Sequence, residues 1–307
     1  MTSVKIIKDS IRYGSKDRIT TFLVRFPRFI EPELLRHRMF SFSAASSRAI
    51  SLEKHISNVI NESYCPAPFT KDCKGMSAKE NITERNSAFA SKVWANAKSK
   101  MVDFALGLKS LEVHKQHASR LLQPFEYTEY LITATDFQNF WNLRCPNYTS
   151  DGIRYFSKKY SLKGATNTST AQPEIQELAE LMYNAYIEHE PTVLGKGVWH
   201  IPFSDNIPSS YSILACLKIA SARMARISYL NHDGTTDLEA DLKLADRLIS
   251  AGHWSVFEHC ARTMDAREYV DFIHGNVSSN FKSGVCNNFT GFIQFRYALE
   301  NGYQFND

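Results

Sequence analysis

Between Arg36 and Arg48 the chain sets Arg36, His37, Arg38 and Arg48 among apolar Met39, Phe40 and Phe42. A folded core tolerates such density of charge poorly, because each buried, unpaired ion costs several kcal/mol. Two arrangements satisfy the stretch. One is a solvated basic helix end running into a serine-rich loop. The other is a turn folded around an anion: Arg38 and Arg48 carry forked donors suited to phosphate oxygens, and Ser46 and Ser47 add hydroxyl and backbone donors. Spacing alone leaves both open.

The 307 residues are 43% hydrophobic and 22% charged, enough for a packed core, and a single catalytic domain over 1–307 is expected. A net charge of +4 is too mild to imply nucleic-acid binding but suits a nucleotide substrate. The N-terminal MTSVKIIKDS has no apolar core of a leader, and no run approaches a membrane span, so a cytoplasmic location without a membrane partner is expected. None of the six cysteines is in CxxC spacing, so no metal site is predicted and free thiols are expected. His259 and Cys260 are neighbours in sequence and point apart, which makes a poor nucleophilic pair. Ser46 has no general base at a recognisable spacing, so phosphate binding suits it better than nucleophilic attack.

Periodicity predicts a strand over Thr21–Phe26, where Phe22, Val24 and Phe26 alternate with Thr21, Leu23 and Arg25. A short helix is predicted from Glu31 to Arg38, and another from Leu52 to Ile60. Residues 62–90 and 146–170 read as loop excursions, rich in small and polar residues. Between them come an amphipathic helix through Trp94, Met101 and Leu108, a helical stretch through Arg120 and a β-prone Tyr127–Thr133. Asn139 and Arg144 then share a helix capped by Thr135 or Asp136, about 140° apart around it. Further helices are predicted over Glu174–Tyr186, Ile213–Arg226 and Leu238–Ile249, with a connecting stretch over 188–211 and loop over 263–287.

The pattern RHR from Arg36, then Ser41, Ser46 and Arg48, resembles the signature of the flavin-dependent thymidylate synthases. Further segments are similar to the same family: LEVHKQHASRLLQPF from Leu111, TATDFQNFWNLR ending at Arg144, AQPEIQELAELM from Ala171, MARISY from Met224 and GHWSVFEH from Gly252. The chain departs at Ser43, where the family has Asn, at Ala44, where short members have Glu, and at Thr170, where they have His. The order is also rearranged: in short members the last two elements precede RHR, whereas here they lie in 213–307, and the closing NNFTGFIQFRYALE from Asn287 resembles a longer, phage-type form. A circular permutation of this kind is tolerated when the old termini lie close together at the surface.

The resemblance implies an α+β fold, a mixed or antiparallel sheet with packed helices, and active sites between subunits of a homotetramer. It implies FAD as cofactor, NADPH and methylenetetrahydrofolate as co-substrates, and dUMP as the nucleotide. It assigns dUMP to Arg36, Ser46, Ser47, Arg48, Arg120 and Arg144, the last reaching in from a neighbouring subunit. It assigns FAD to His37, Arg38, Asn139, Ser228, His253, Ser255 and Glu258, with Arg38, Arg144 and His253 as catalytic residues. Two alternatives stand beside this reading: a deoxyuridylate hydroxymethylase or related nucleotide modifier, and a non-catalytic nucleotide-binding protein. The flavin route needs no thiolate, and no cysteine here has an activating neighbour in sequence. A folded variant with all six cysteines replaced by Ser or Ala is therefore expected to keep its turnover; selective loss in one Cys→Ser variant would reveal covalent catalysis.

Overall fold

Two runs rich in β-branched residues, the second also carrying Phe22 and Phe26, begin the chain and form two long strands. β1 (Ser3–Arg12) and β2 (Arg18–Pro27) pair antiparallel around Gly14, whose φ of +70° favours a residue without a side chain. The computed structural model describes residues 1–44, 46–75, 78, 80–146, 148, 171–227, 237–269, 288–303 and 305. β4 (Tyr127–Ala134) lies antiparallel beside β2, β3 (Ser41–Ala44) antiparallel beside β4, and β5 (Thr192–Leu194) parallel to β1. The result is a mixed sheet in the order β3-β4-β2-β1-β5. A smaller antiparallel sheet is built from β6 (Trp199–His200), β7 (Ala261–Thr263) and β8 (Phe292–Gln294).

Successive strand residues face opposite ways, and both faces of the large sheet are covered. Phe22, Val24, Phe26, Tyr130 and Ile132 pack against α5 (Gln138–Arg144) and α6 (Pro173–Glu188) through Phe140, Trp141, Ile175, Leu178 and Met182. Leu131 faces the other way and joins Leu217, Ala220 and Met224 of α7 (Ile213–Ile227), Leu248 of α8 (Leu238–Ser250) and Phe257. A third cluster unites α2 (Leu52–Asn61), α3 (Glu84–Ser110) and the 3-10 segment Ser119–Phe125 around Leu52, Val59, Ala105 and Leu122. The α+β class expected from the sequence is the class observed.

Several boundaries differ from expectation, each for a local reason. The helix over 31–38 stops after α1 (Glu31–Leu34), because His37 N–H bonds Leu34 O and Phe40 N–H bonds His37 O in consecutive turns. The serine-rich loop contains β3, whose four residues pair with β4. The 62–90 excursion ends at Thr83, whose hydroxyl accepts from Asn86 N–H and starts α3. The stretch through Arg120 is α4 (Lys115–Ala118) followed by a 3-10 segment that contains Pro124. The connection over 188–211 includes β5 and β6. The predicted excursion over 146–170 and the end of the 263–287 loop lie largely outside the described residues.

A chain of buried hydrogen bonds joins the two sheets. Thr21 and Thr133 are register partners, with hydroxyls 2.7 Å apart. Thr21 Oγ1 lies 2.9 Å from His200 Nε2, and His200 Nδ1 lies 2.9 Å from Ser10 Oγ. On the other side, Thr133 Oγ1 lies 2.8 Å from His259 Nδ1, and His259 Nε2 lies 2.9 Å from Ser43 Oγ. A neutral imidazole donates once and accepts once, so the whole series can run with one polarity and no unpaired ring nitrogen. Burial holds both histidines down to a pKa of about 3; for His200, Lys8 and His259 add to that effect.

The folded pKa lies below the unfolded value near 6.5, so the unfolded state takes up more protons in acid. Stability from these residues is complete above pH 6.5 and is lost as pH falls toward 3. Each histidine should cost about 1.4 kcal/mol per pH unit within that window. Urea unfolding of the protein and of His259→Gln between pH 7 and 4.5 checks this: the variant should show the shallower dependence, and an identical slope would sink the assignment.

Candidate active site

The RHR turn lies where α1 leads into β3, and its residues divide between solvent and core. Arg36 and Arg38 are exposed, whereas His37 is buried between Phe40 and Phe140, with ring centroids 5.8 and 4.8 Å away. Arg144 ends α5 and returns to this turn, its Nε 3.4 Å from His37 Nε2 and its guanidinium 3.4 Å from Glu33. Arginine only donates, so His37 Nε2 must be an unprotonated acceptor. Burial first, and the Arg144 charge second, hold His37 down to about 4. Asn139 is exposed on α5.

Residues 46–48 lie at the other end of β3. Ala49 N–H donates to Ser46 O at 3.0 Å and closes a tight turn; Ser46 and Arg48 are exposed and Ser47 is buried. Arg120, exposed at the start of its 3-10 segment, belongs to the α2–α3 layer that flanks this end. Among the described residues Arg36, Arg38, Arg48 and Arg120 have no ion-pair partner. β3 rises about 3.3 Å per residue, so its two ends, Ser41 on the RHR side and Ala44 on the 46–48 side, are on the order of 10 Å apart. That is beyond the length of one arginine side chain, and within one chain Arg144 stands at the RHR end.

The GHWSVFEH segment docks on β3. Gly252 ends α8 with a φ of +71°, and His253 N–H returns to Leu248 O at 2.9 Å, which closes the helix. His253 and Ser255 are exposed at the 3-10 turn Ser255–Glu258, while Phe257 enters the core and His259 bonds Ser43. Glu258 pairs with Arg296 at 2.6 Å. The last described segment also fixes the motif: Asn288 Nδ2 donates to Met39 O at 2.9 Å, and Gln294 Nε2 donates to Ser41 Oγ at 3.0 Å. Elements from both ends of the sequence therefore meet on β3. Ser228 lies outside the described residues.

Sequence reasoning missed His55, Glu126, Asn288 and Gln294. His55 Nε2 is 2.9 Å from Ser47 O, and its Nδ1 is hydrogen-bonded to Glu126. Nothing in the local pattern marks either residue, because their partners lie far away in the chain. Cys260 is buried, and that burial pushes its thiol pKa up, while both His259 nitrogens are engaged elsewhere. The pair is no nucleophile, as adjacency in sequence suggested. Cys65, Cys216 and Cys260 are free thiols.

The family model of thymidylate synthase complementing proteins, Thy1, matches residues 18–192, more than half of the chain. The chain belongs to this family, the flavin-dependent thymidylate synthases. The match takes in the RHR turn, the 46–48 turn, Arg120, Asn139 and Arg144. Solved structures similar to the chain include the UMP/dUMP methylase PolB from Streptomyces cacaoi bound with 5-Br UMP, at 17% identity and a TM-score of 0.45, covering 61% of this chain and 89% of that one. The same protein bound with 5-Br dUMP gives 17% identity and a TM-score of 0.46, covering 61% and 90%. No curated protein matches the chain.

The contact between Arg144 and His37 has a direct readout. Arg144→Gln removes the nearby cation, so the His37 pKa should rise from about 4 toward the ordinary value, with burial still holding it below 6.5. An NMR titration of the histidine ring protons checks this, and an unmoved His37 resonance would show that the two side chains do not meet.

Proposed function

We propose that the chain reductively methylates dUMP to dTMP, with FAD as cofactor, methylenetetrahydrofolate as carbon donor and NADPH as reductant. The observation that carries this reading is the family match over 18–192, together with exposed arginines at both ends of β3 that have no ion-pair partner among the described residues. Such cations are stable in solvent and ready for anionic ligands. Ser46, Ser47, Arg48 and Arg120 would hold the dUMP phosphate and sugar. Arg144 would reach the nucleotide of a second copy, which suits the separation of the two ends of β3.

The residues present also fit a pyrophosphate-bearing dinucleotide. Arg36 and Arg38 flank a buried neutral imidazole, and His253 and Ser255 are exposed on a turn packed against the same strand. His37, Arg38, Asn139, His253 and Ser255 would hold FAD, with Glu258 orienting Arg296 at its edge. When bound, FAD supplies the hydride that completes the methyl group. The protein contributes position and fixed charge: cations set opposite the phosphates and a shielded face on which nucleotide and carbon donor meet.

A homotetramer suits the exposed apolar residues of α3. Phe89, Val93 and Phe104 are 69%, 55% and 57% exposed and lie within about 60° around the helix axis. No helix among the described residues is long and apolar enough to cross a membrane.

Mass spectrometry of the product from dUMP, methylenetetrahydrofolate and NADPH tests the reaction: a methylated nucleotide supports it, and a hydroxymethylated one assigns the chain to the alternative chemistry. A colourless protein that binds dUMP without turnover would point to a nucleotide binder. Arg144→Ala should lose about 30-fold or more in nucleotide affinity or rate. Mixed with an inactive Arg48→Ala protein under conditions of subunit exchange, it should regain activity that neither has alone. Failure of all such mixtures would place both arginines in one subunit's site.

A further inference from the structure

Behind the exposed 46–48 turn lies a buried ionisable cluster that holds one specific carbonyl. His55, Glu126 and Arg28 are 1%, 4% and 7% exposed. Arg28 Nε lies 3.4 Å from Glu126 Oε2, Arg28 donates to Thr128 Oγ1 at 3.2 Å, and Arg28 N–H donates to Glu126 O at 2.8 Å. Glu126 is thereby fixed, and its other oxygen meets His55 Nδ1. The opposite ring nitrogen faces Ser47 O at 2.9 Å. A carbonyl oxygen only accepts, so His55 Nε2 must carry a proton and donate it. With both nitrogens held, the ring cannot turn, and the Ser47 carbonyl is drawn inward.

In a planar trans peptide the C=O and the following N–H point in opposite directions. A Ser47 carbonyl pinned toward His55 therefore turns the Arg48 N–H away from the core, to the side on which Ser46 and the Arg48 side chain are exposed. The Arg48 N–H has no acceptor among the described residues. An outward backbone donor beside a guanidinium and a serine hydroxyl forms a small anion cradle.

We propose that His55, oriented by Glu126, is a positioning residue that aims the Arg48 backbone N–H at the phosphate of a bound nucleoside monophosphate. This rests on the reading of residues 46–48 as the nucleotide-phosphate turn. Its signature is selective: loss of the clamp weakens recognition of the phosphate and leaves recognition of the nucleoside in place. A role in folding alone would not separate the two.

Calorimetric binding of dUMP and deoxyuridine to the full-length protein as purified tests the proposal. The unsubstituted protein should prefer dUMP by about 100-fold, the worth of one or two charge-assisted hydrogen bonds. His55→Gln places an amide N–H near the position of Nε2 and should keep the preference within about threefold. His55→Asn places its amide near Nδ1, loses the bond to Ser47 O, and should cut the preference about tenfold with deoxyuridine affinity unchanged. An undiminished preference in folded His55→Asn overturns the proposal. If that variant fails to fold, Glu126→Gln takes its place: a reduced preference supports the clamp, and an unchanged one overturns it. No preference for dUMP over deoxyuridine in the unsubstituted protein would overturn the phosphate reading of the turn itself, and the clamp with it.

Discussion

The hydroxyl pair of Thr21 and Thr133 sits at the centre of the constraint on which the structure turns. Two buried hydroxyls that bonded only each other would leave donors and acceptors unmet, at about 1–3 kcal/mol for each unsatisfied group. The fold resolves this by bringing one histidine to each side, His200 from β6 and His259 from the end of the 252–259 segment. Neither histidine is close in sequence to the strands it serves. The interaction thus requires the chain from β6 onward to dock on the sheet formed mainly by the N-terminal half. A hydrophobic contact would tolerate sliding; a hydrogen-bonded series through five contacts does not.

The same docking explains how a rearranged order of motifs can keep one site. His259 is bonded to Ser43, and Asn288 and Gln294 bond to Met39 and Ser41, so every second residue of the strand entry is tied to the late segments. Adjacency in space is set by these long-range bonds and by the burial of Phe257 and Phe295 against Leu131, whatever the position of the segments in the chain. Between its two ends β3 also acts as a spacer. One end gathers Arg36, Arg38 and Arg144, the other Ser46, Arg48 and Arg120, and the strand length holds these groups of cations apart. Two copies facing each other would let one end of one strand meet the other end of its counterpart.

Much of this was legible in the sequence where periodicity had room to show. The alternation of Phe22, Val24 and Phe26 marks β2, and the apolar sides of α6, α7 and α8 mark helices, with Gly252 closing the last. β3, β5 and β6 were not legible, since strands of two to four residues hold too few positions to establish a period. They exist because longer neighbours offer them hydrogen bonds. Site chemistry divided in the same way. The exposed arginines and Ser46 could be read from the motif, whereas the buried partners behind them could not. His55 and Glu126 are 71 residues apart, Ser43 and His259 are 216 apart, and nothing local in either partner announces the other.

The departures from the family pattern take on different meanings in this light. Ser43 stands where the resemblance places asparagine, and its hydroxyl is bonded to His259 at 2.9 Å in a site only 5% exposed. A serine can accept from His259 or donate to it, so either polarity of the buried series can end at this residue. An asparagine has fixed donor and acceptor atoms on a longer side chain, and each orientation of its amide would select one polarity. The serine therefore alters the freedom of the seam before it alters any ligand contact. Ala44 differs in kind: it pairs in register with Tyr130 on β4, and its methyl group can neither donate nor accept. Of the two neighbouring changes, Ser43 is answered inside the protein by His259. The carboxylate that short members carry at this position has no substitute within Ala44.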